Sequence, residues 1–456
     1  MNPDRLLTYS LRAHPLGGAL VEIMAAALAA ADPHAAVRRS LRVVDSAIMV
    51  GRQRYDLSAS SRVIVVGAGK AGTPMAEAAY AALGEIIAAG LVVVKQGHLG
   101  TTHGHVGPIT LLEARHPVPD ARGVNAAERL MALLDDLRPD DLVLVLLSGG
   151  GSALLTLPAP GLALADLQGL TTALLRCGAT IGEINTLRKH CSRIAGGQLA
   201  FCASPARVAT LVISDVIGSP LDVIASGPTV PDPTTYADAW ALIQRYQLEQ
   251  TVPAPILQHL QGGLAGELPE TPKADASLWQ RVHNEVIASN VSAAQAAVMA
   301  AQERGFQAQI MTTFLEGEAR EVGRVAAAVA RELVVRGQPF GRPALIIAGG
   351  ETTVTLGGDG LGGRNQELAL GAVAGLAGVP DAVIVALATD GGDGPTDAAG
   401  AVVTGSTLLR AKDQGLDPAH FLRHNDAYHF FAPLGDLLQP GPTLTNVNDL
   451  LFIAVP

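Results

Sequence analysis

Short runs of valine, isoleucine and leucine recur along this chain, and each stops at a glycine, a serine or a charged residue. In the first half they fall at 62–66, 91–94, 142–147 and 208–213. Apolar residues at successive positions over so short a span suit strands covered on both faces. Alanine-rich stretches with helical character, such as 73–83, lie between several of them, and the first ~60 residues read as helical. This alternation predicts an α/β fold with a mostly parallel sheet and helices on both faces, ligands being held beyond the carboxyl ends of its strands. A composition shift follows Pro228: 228–233 is proline-rich, a helix is expected over 236–246, and 262–276 reads as an exposed connection. Further strands are expected near 286–288, 308–312, 344–348, 352–356, 383–388 and 450–455, with helices at 292–304, 316–336 and 365–377. The pattern predicts two α/β domains, 1–240 and a smaller 241–456, with the last strand able to return to the first domain.

A chain of 456 residues is long enough for two or three cores. Its 50 glycines and 28 prolines imply many tight turns. A net charge of −10 argues against nucleic acid or an anionic membrane as partner. An anionic substrate would have to be met by a local cluster of Lys and Arg. Cys177, Cys191 and Cys202 form no CxxC pair and are odd in number, so buried free thiols are expected rather than a disulfide or zinc site. The apolar stretch 19–31 contains Glu22 and ends at Asp32-Pro33, too short and polar for a bilayer span, and the cytoplasm is the expected location.

Against this background several strand ends carry chemistry. Gly67-Ala68-Gly69-Lys70-Ala71-Gly72 matches the spacing of a dinucleotide fingerprint, yet the next strand ends in Lys95-Gln96-Gly97-His98 where a ribose-binding acid is required. A lysine inside the turn suits a phosphoryl or carboxylate group. Ser148-Gly149-Gly150-Gly151-Ser152 can curl its amides into an anion nest and adds two hydroxyls. Lys189 and Arg193, four apart on an expected helix, share one face and are candidates for the same anion. Asp215 follows the strand at 208–213 and suits a general base or a Mg²⁺ ligand. In the second domain, Gly349-Gly350-Glu351 ends another strand, and a glycine-dense loop brings Arg364 to a helix start beside Asn365. There its fork could clamp a phosphate or carboxylate unless it pairs with Glu367. Asp390, Asp393 and Asp397 crowd one loop, which points to a cation shared with a nucleotide.

A phosphotransferase needs two anion cradles, a bridging cation and positive charge on the transferred group, and all four are represented. A dehydrogenase lacks its ribose acid here, although His98, His103, His105 and His116 lie nearby. A non-catalytic sugar-phosphate-binding protein would not need the acidic loop.

At these residues the chain resembles the class II glycerate 2-kinases, in which an N-terminal Rossmann-like domain is joined to a C-terminal domain called MOFRL. The similarity is carried by the 67–71 turn, His116-Pro117-Val118-Pro119-Asp120, the 148–154 loop, Ser214-Asp215-Val216 and 224–229. It continues in 349–354, Gly362-Gly363-Arg364-Asn365-Gln366-Glu367, 389–397 and Thr445-Asn446-Val447-Asn448-Asp449-Leu450. The resemblance implies transfer of a phosphoryl group from ATP, with Mg²⁺, to the C2 hydroxyl of D-glycerate, in a cleft between the domains. It implies Lys70 and Arg364 as the catalytic pair; from the residues themselves, Asp215 or Asp390 is expected to orient or deprotonate the acceptor hydroxyl. The expected binding set is Gly67, Gly69, Ser148, Gly149, Gly150, Gly151, Ser152, Lys189, Arg193, Glu351 and Asn365. Asp215, Asp390 and Asp393 are the expected metal ligands. Ser219-Pro220 and Ala195 depart from the family pattern, and some members carry a hydroxypyruvate reductase label. A homodimer is left open.

Overall fold

The computed structural model describes residues 3–456, which divide into two compact units, Pro33–Ile287 and a unit made of residues 3–32 with Ala288–Pro456. The first unit begins with a three-stranded antiparallel sheet, β1 (Leu41–Val44), β2 (Ala47–Val50) and β3 (Gln53–Asp56). It lies in a region expected to be helical. The missed signal is turn chemistry, since Asp45 and Gly51 take φ of 54° and 56° between the strands.

The main sheet of this unit has seven strands: β4 (Val63–Ala68), β5 (Ile87–Lys95), β6 (His105–Val106), β7 (Ile109–Ala114), β8 (Leu142–Leu147), β9 (Arg207–Ile213) and β10 (Val282–Ala288). Their order is β10-β9-β8-β4-β5-β7-β6. β9, β8, β4, β5 and β7 run parallel, and β6 is antiparallel to β7. The chain steps outward from β4 to β5 and β7, then returns to lay β8 on the other side of β4. The strand order thus reverses between β4 and β8, the place where open α/β sheets hold their ligands. β4 and β8 are buried along their whole length, as continuous apolar runs require.

The helices Tyr236–Arg245 and Ala254–Leu264 pack with Leu164–Arg176 and Ile181–His190 around Leu170, Leu187, Ile243 and Ile256. This shared core keeps residues up to Ile287 in the first unit, beyond the expected boundary at 240. The N-terminal helix Gly17–Ala30 instead packs on Asn290–Gln302 of the second unit. Ser10 ties the same segment down, its backbone N–H and its hydroxyl each donating to the buried Asp436 at 2.8 Å.

The second unit holds a six-stranded sheet: β11 (Gln307–Leu315), β12 (Ala344–Gly350), β13 (Val383–Ala388), β14 (Gly400–Thr404), β15 (Leu437–Leu438) and β16 (Asp449–Val455). In the order β11-β12-β16-β13-β14-β15 only the first pair is parallel. β16 lies at the centre of this sheet and does not return to the first unit. Its antiparallel course sets Asp449 opposite both Gly350 and Ala388, so the start of β16 meets the ends of β12 and β13. Residues 352–356 leave the sheet, apart from a single bridge between Thr353 and Glu318; Thr352 and Val354 face inward while Thr353, Thr355 and Leu356 are exposed. Among the described residues no single helix is long and apolar enough to cross a membrane. The three cysteines are free, and burial pushes the Cys191 thiol up to about 12.

Candidate active site

The loops after β4 and β8 are stitched into one cradle. The Lys70 N–H donates to the Gly149 carbonyl at 2.9 Å, the Ala71 N–H to Ser148 Oγ at 3.0 Å, and the Ser148 N–H to the Ala68 carbonyl at 3.1 Å. These bonds correct part of the expected binding set. Gly67 lies inside β4, and the Gly69 N–H donates to the Val93 carbonyl at 3.0 Å, so this turn has no amides to spare for an anion. The second loop differs: the amides of Gly149 and Gly150 have no partner among the described residues. Gly150 adopts φ 85°, which an L side chain rarely takes. A Cβ at Gly149 would collide with the Asp215 carboxylate, which therefore rests against the nest.

What the first turn does present is the Lys70 side chain. Among the described residues its ammonium has neither an ion pair nor a hydrogen bond. Its backbone carbonyl accepts from His98 Nδ1 at 2.9 Å. Burial pushes His116 down to about 4, with further lowering from Lys70, Lys95 and His98. His116 is thus neutral near pH 7 and reports a concentration of positive charge in a chain of net charge −10. Lys95 had drawn notice only for not being acidic, and the histidines had no assigned role. On the other side of the nest, Ser152 Oγ lies 2.8 Å from Ser226 Oγ, which donates to Asn185 Oδ1 at 3.1 Å. Both partners sit inside quoted motifs, but only the fold shows that they touch.

Lys189 and Arg193 do not act together. The helix ends at His190, which leaves exposed Arg193 beyond it, so the expected shared face does not exist. The Lys189 ammonium is buried 3.3 Å from Asp232 and 3.7 Å from Asp222, so its charge is already matched. Burial pushes the Asp232 carboxyl up, yet Lys189 and Thr234 outweigh this and hold it below the ordinary value. We expect Lys189→Met to destabilise the protein by roughly 3 kcal/mol, because Asp232 is left as an uncompensated buried charge. Urea unfolding checks this; a loss below about 1 kcal/mol would mean that the pair contributes little.

In the second unit Arg364 opens the helix Arg364–Leu376. Its Nη1 lies 2.6 Å from Glu351, while Nε and Nη2 both bond Asp449, the latter at 3.1 Å. Glu351 also accepts from Asn448 Nδ2 at 2.9 Å. Glu351 is therefore a positioning group for Arg364 rather than an anion contact, and Glu367 pairs with Arg320. Asp393 is buried and caps the helix: its oxygens accept from the Asn365 N–H at 3.1 Å and the Gln366 N–H at 2.9 Å, and from both amide side chains. This commits Asp393 and Asn365 to each other rather than to a metal or a substrate. The expected acidic cluster disperses accordingly. Asp390 is exposed and accepts from the Gly392 N–H at 3.1 Å, while Asp397 bonds Tyr428 at 2.8 Å and Gln439 at 3.1 Å. The glycine-dense loop is held by the 425–426 segment, with the Gly357 N–H donating to Asn425 Oδ1 at 2.8 Å and the Leu361 N–H to Asp426 Oδ1 at 2.9 Å.

A strand-order reversal with an open nest and an uncommitted lysine in one α/β unit, and a clamped arginine in the other, define an anion-handling α/β enzyme. Residues 19–261 match a family model described as a domain of unknown function, DUF4147, and residues 344–449 match the MOFRL family. The chain is 44% identical over 420 residues to the D-glycerate 2-kinase of Thermotoga maritima, an alignment covering 91% of this chain and 96% of that one. It is also 44% identical over 440 residues to an Agrobacterium vitis protein named for hydroxypyruvate reductase, covering 96% and 94%. The crystal structure of a glycerate kinase from Thermotoga maritima superposes with a TM-score of 0.86 at 41% identity, over 96% of this chain and 99% of that one. The chain belongs to the class II glycerate kinase family.

Proposed function

We propose that the protein transfers the γ-phosphoryl group of ATP to the C2 hydroxyl of D-glycerate, giving 2-phosphoglycerate and ADP. The observation that carries this reading is the Lys70 ammonium, without a partner among the described residues, at the reversal of strand order next to the open amides of Gly149 and Gly150. Those groups take charged substrate oxygens. Arg364, oriented by Glu351 and Asp449, offsets charge that develops on the transferred phosphoryl group. Asp215 or Asp390 orients or deprotonates the acceptor hydroxyl, and the same carboxylates would hold Mg²⁺.

Among the described residues no group of three or more His, Cys, Asp or Glu gathers at one point. That suits Mg²⁺ of the nucleotide-borne kind, which takes one or two carboxylates and completes its shell with phosphates and water. When bound, the ion would neutralise phosphate charge. The Agrobacterium relative's name supports a second reading, NAD(P)H-dependent reduction of hydroxypyruvate, against which the basic end of β5 at Lys95 speaks. Incubation with D-glycerate, ATP and Mg²⁺, following ADP and the position of the new phosphate, separates them. ADP with phosphate at C2 is expected. NADH oxidation on hydroxypyruvate without ADP would reverse the assignment, and phosphate at C3 would keep the kinase but reject its class.

A further inference from the structure

We propose that Arg188 binds the carboxylate of the acid substrate, in a small pocket behind the 148–152 loop. This rests on the acid-kinase reading above and adds how the acid is recognised.

Helix Ile181–His190 ends in three basic residues, and two are accounted for. Lys189 is neutralised by Asp232 and Asp222, and His190 is bonded to the Thr186 carbonyl at 2.8 Å and to Glu270 at 3.3 Å. Arg188 is the exception. Its half-buried guanidinium has no ion pair and no hydrogen bond among the described residues. Burial lowers its pKa with no neighbouring carboxylate to oppose it, yet an arginine stays charged at neutral pH even so. A charge removed from water without a partner is costly, and an anion supplied from outside would remove that cost.

The pocket that Arg188 lines is shaped for one such anion. Its polar walls are the hydroxyl-bearing residues Ser152, Thr156, Ser192 and Ser226, of which Ser152 and Ser226 are 2.8 Å apart at their oxygens. Leu155 and Ile194 close it on the apolar side, where the lower dielectric strengthens a charge pair. Its volume is about 50 Å³, and at roughly 10–15 Å³ per water it takes about four water-sized groups. A carboxylate and the carbon that bears it fit that space; a nucleotide does not. A single negative charge also matches the single guanidinium, whereas a triphosphate would leave excess charge buried. The planar fork engages a carboxylate in two-point fashion, and the Ser192 hydroxyl, which accepts from the Ile194 and Ala195 N–H groups, keeps its own proton to donate to it. Because Ser152 belongs to the same loop as the Gly149 and Gly150 amides, an acid held here would have its next carbon near the nest.

The test measures D-glycerate binding to the full-length protein by calorimetry, alongside steady-state kinetics. In Arg188→Ala the KM for D-glycerate should rise about 10²-fold while the KM for ATP stays within about 2-fold. Calorimetric binding of D-glycerate should be lost. Glyceramide, the uncharged amide, should be a far poorer acceptor than D-glycerate for the wild type but not for Arg188→Ala. Arg188→Lys keeps the charge without the fork and should recover part of the affinity, and it carries the test should the alanine variant not fold. Unchanged D-glycerate binding in a folded variant overturns the proposal, as does a rise in the KM for ATP instead. If the wild type binds D-glycerate through Arg188 but does not phosphorylate it, the reaction assignment fails and this one stands. If the wild type neither binds nor phosphorylates D-glycerate, both fail.

Discussion

Arg364→Ala should lower kcat by about 10³-fold, the largest loss expected of any single substitution in this protein. The guanidinium is held on two sides, by Glu351 at 2.6 Å and by two bonds from Asp449, so its position is fixed before substrate arrives. Such preorganisation is what makes a cation effective against developing charge. Arg364→Lys should recover little, because one ammonium does not span two carboxylates in this geometry. The clamp also predicts a pH effect. Burial pushes the Asp449 carboxyl up to about 6, against lowering by Arg364, so it is ionised at neutral pH and takes a proton just below. As the pH falls through about 6, Arg364 loses one anchor and kcat should drop. Because folding raises this carboxyl from 3.8, its own contribution to stability is present below 3.8 and is lost as the pH rises through about 6. Loss of activity near pH 6 would therefore not be acid unfolding driven by Asp449. Asp449→Asn should be slower at pH 8 and should lack this acid limb, which separates it from titration of the nucleotide. Near-wild-type turnover in Arg364→Ala would remove the residue from the transition state.

The strands were legible wherever burial on both faces forced a continuous apolar run, as at 142–147 and 383–388, which agree with β8 and β13 at both ends. Strands with mixed faces, such as β1, β3 and β7, gave no such run, and the signal of the first sheet lay in turns instead. Pairing was less accessible still. Nothing local to residues 449–455 says that they separate β12 from β13, and that placement is what brings Asp449 to Arg364. The same limit explains the site residues. Spacing could show that Lys70, Lys189 and Arg364 were basic and near glycines, but not whether each charge already had a partner. Lys189 is matched by two carboxylates contributed from 222 and 232, and Arg364 is clamped but central, whereas Lys70 and Arg188, the latter one residue from Lys189, have no anion among the described residues. Asp393 misled for a related reason: three carboxylates close in sequence suggest a cation, yet this one was needed by the amides at a helix start.

Lys70→Met should reduce kcat/KM by about 10²-fold or more. The amides of its turn are consumed by Val93, Gly149 and Ser148, so the side chain is the only group there that can meet a substrate charge. Methionine keeps the length and apolar stem of lysine, and the backbone bonds that hold the turn do not involve the ammonium. The fold should therefore survive, which the melting temperature checks. A second readout tests the charge directly. His116 is pushed down to about 4 by burial first and by Lys70, Lys95 and His98 after it. Removing the Lys70 charge should let His116 titrate higher, while burial keeps it below the ordinary 6.5, and NMR titration of the imidazole would follow the change. A lysine that merely packed in the turn would leave turnover unmoved even as His116 shifts. If turnover falls while His116 stays near 4, the ammonium acts at a distance from this cluster, and the cradle at β4 and β8 would have to be centred elsewhere along the nest.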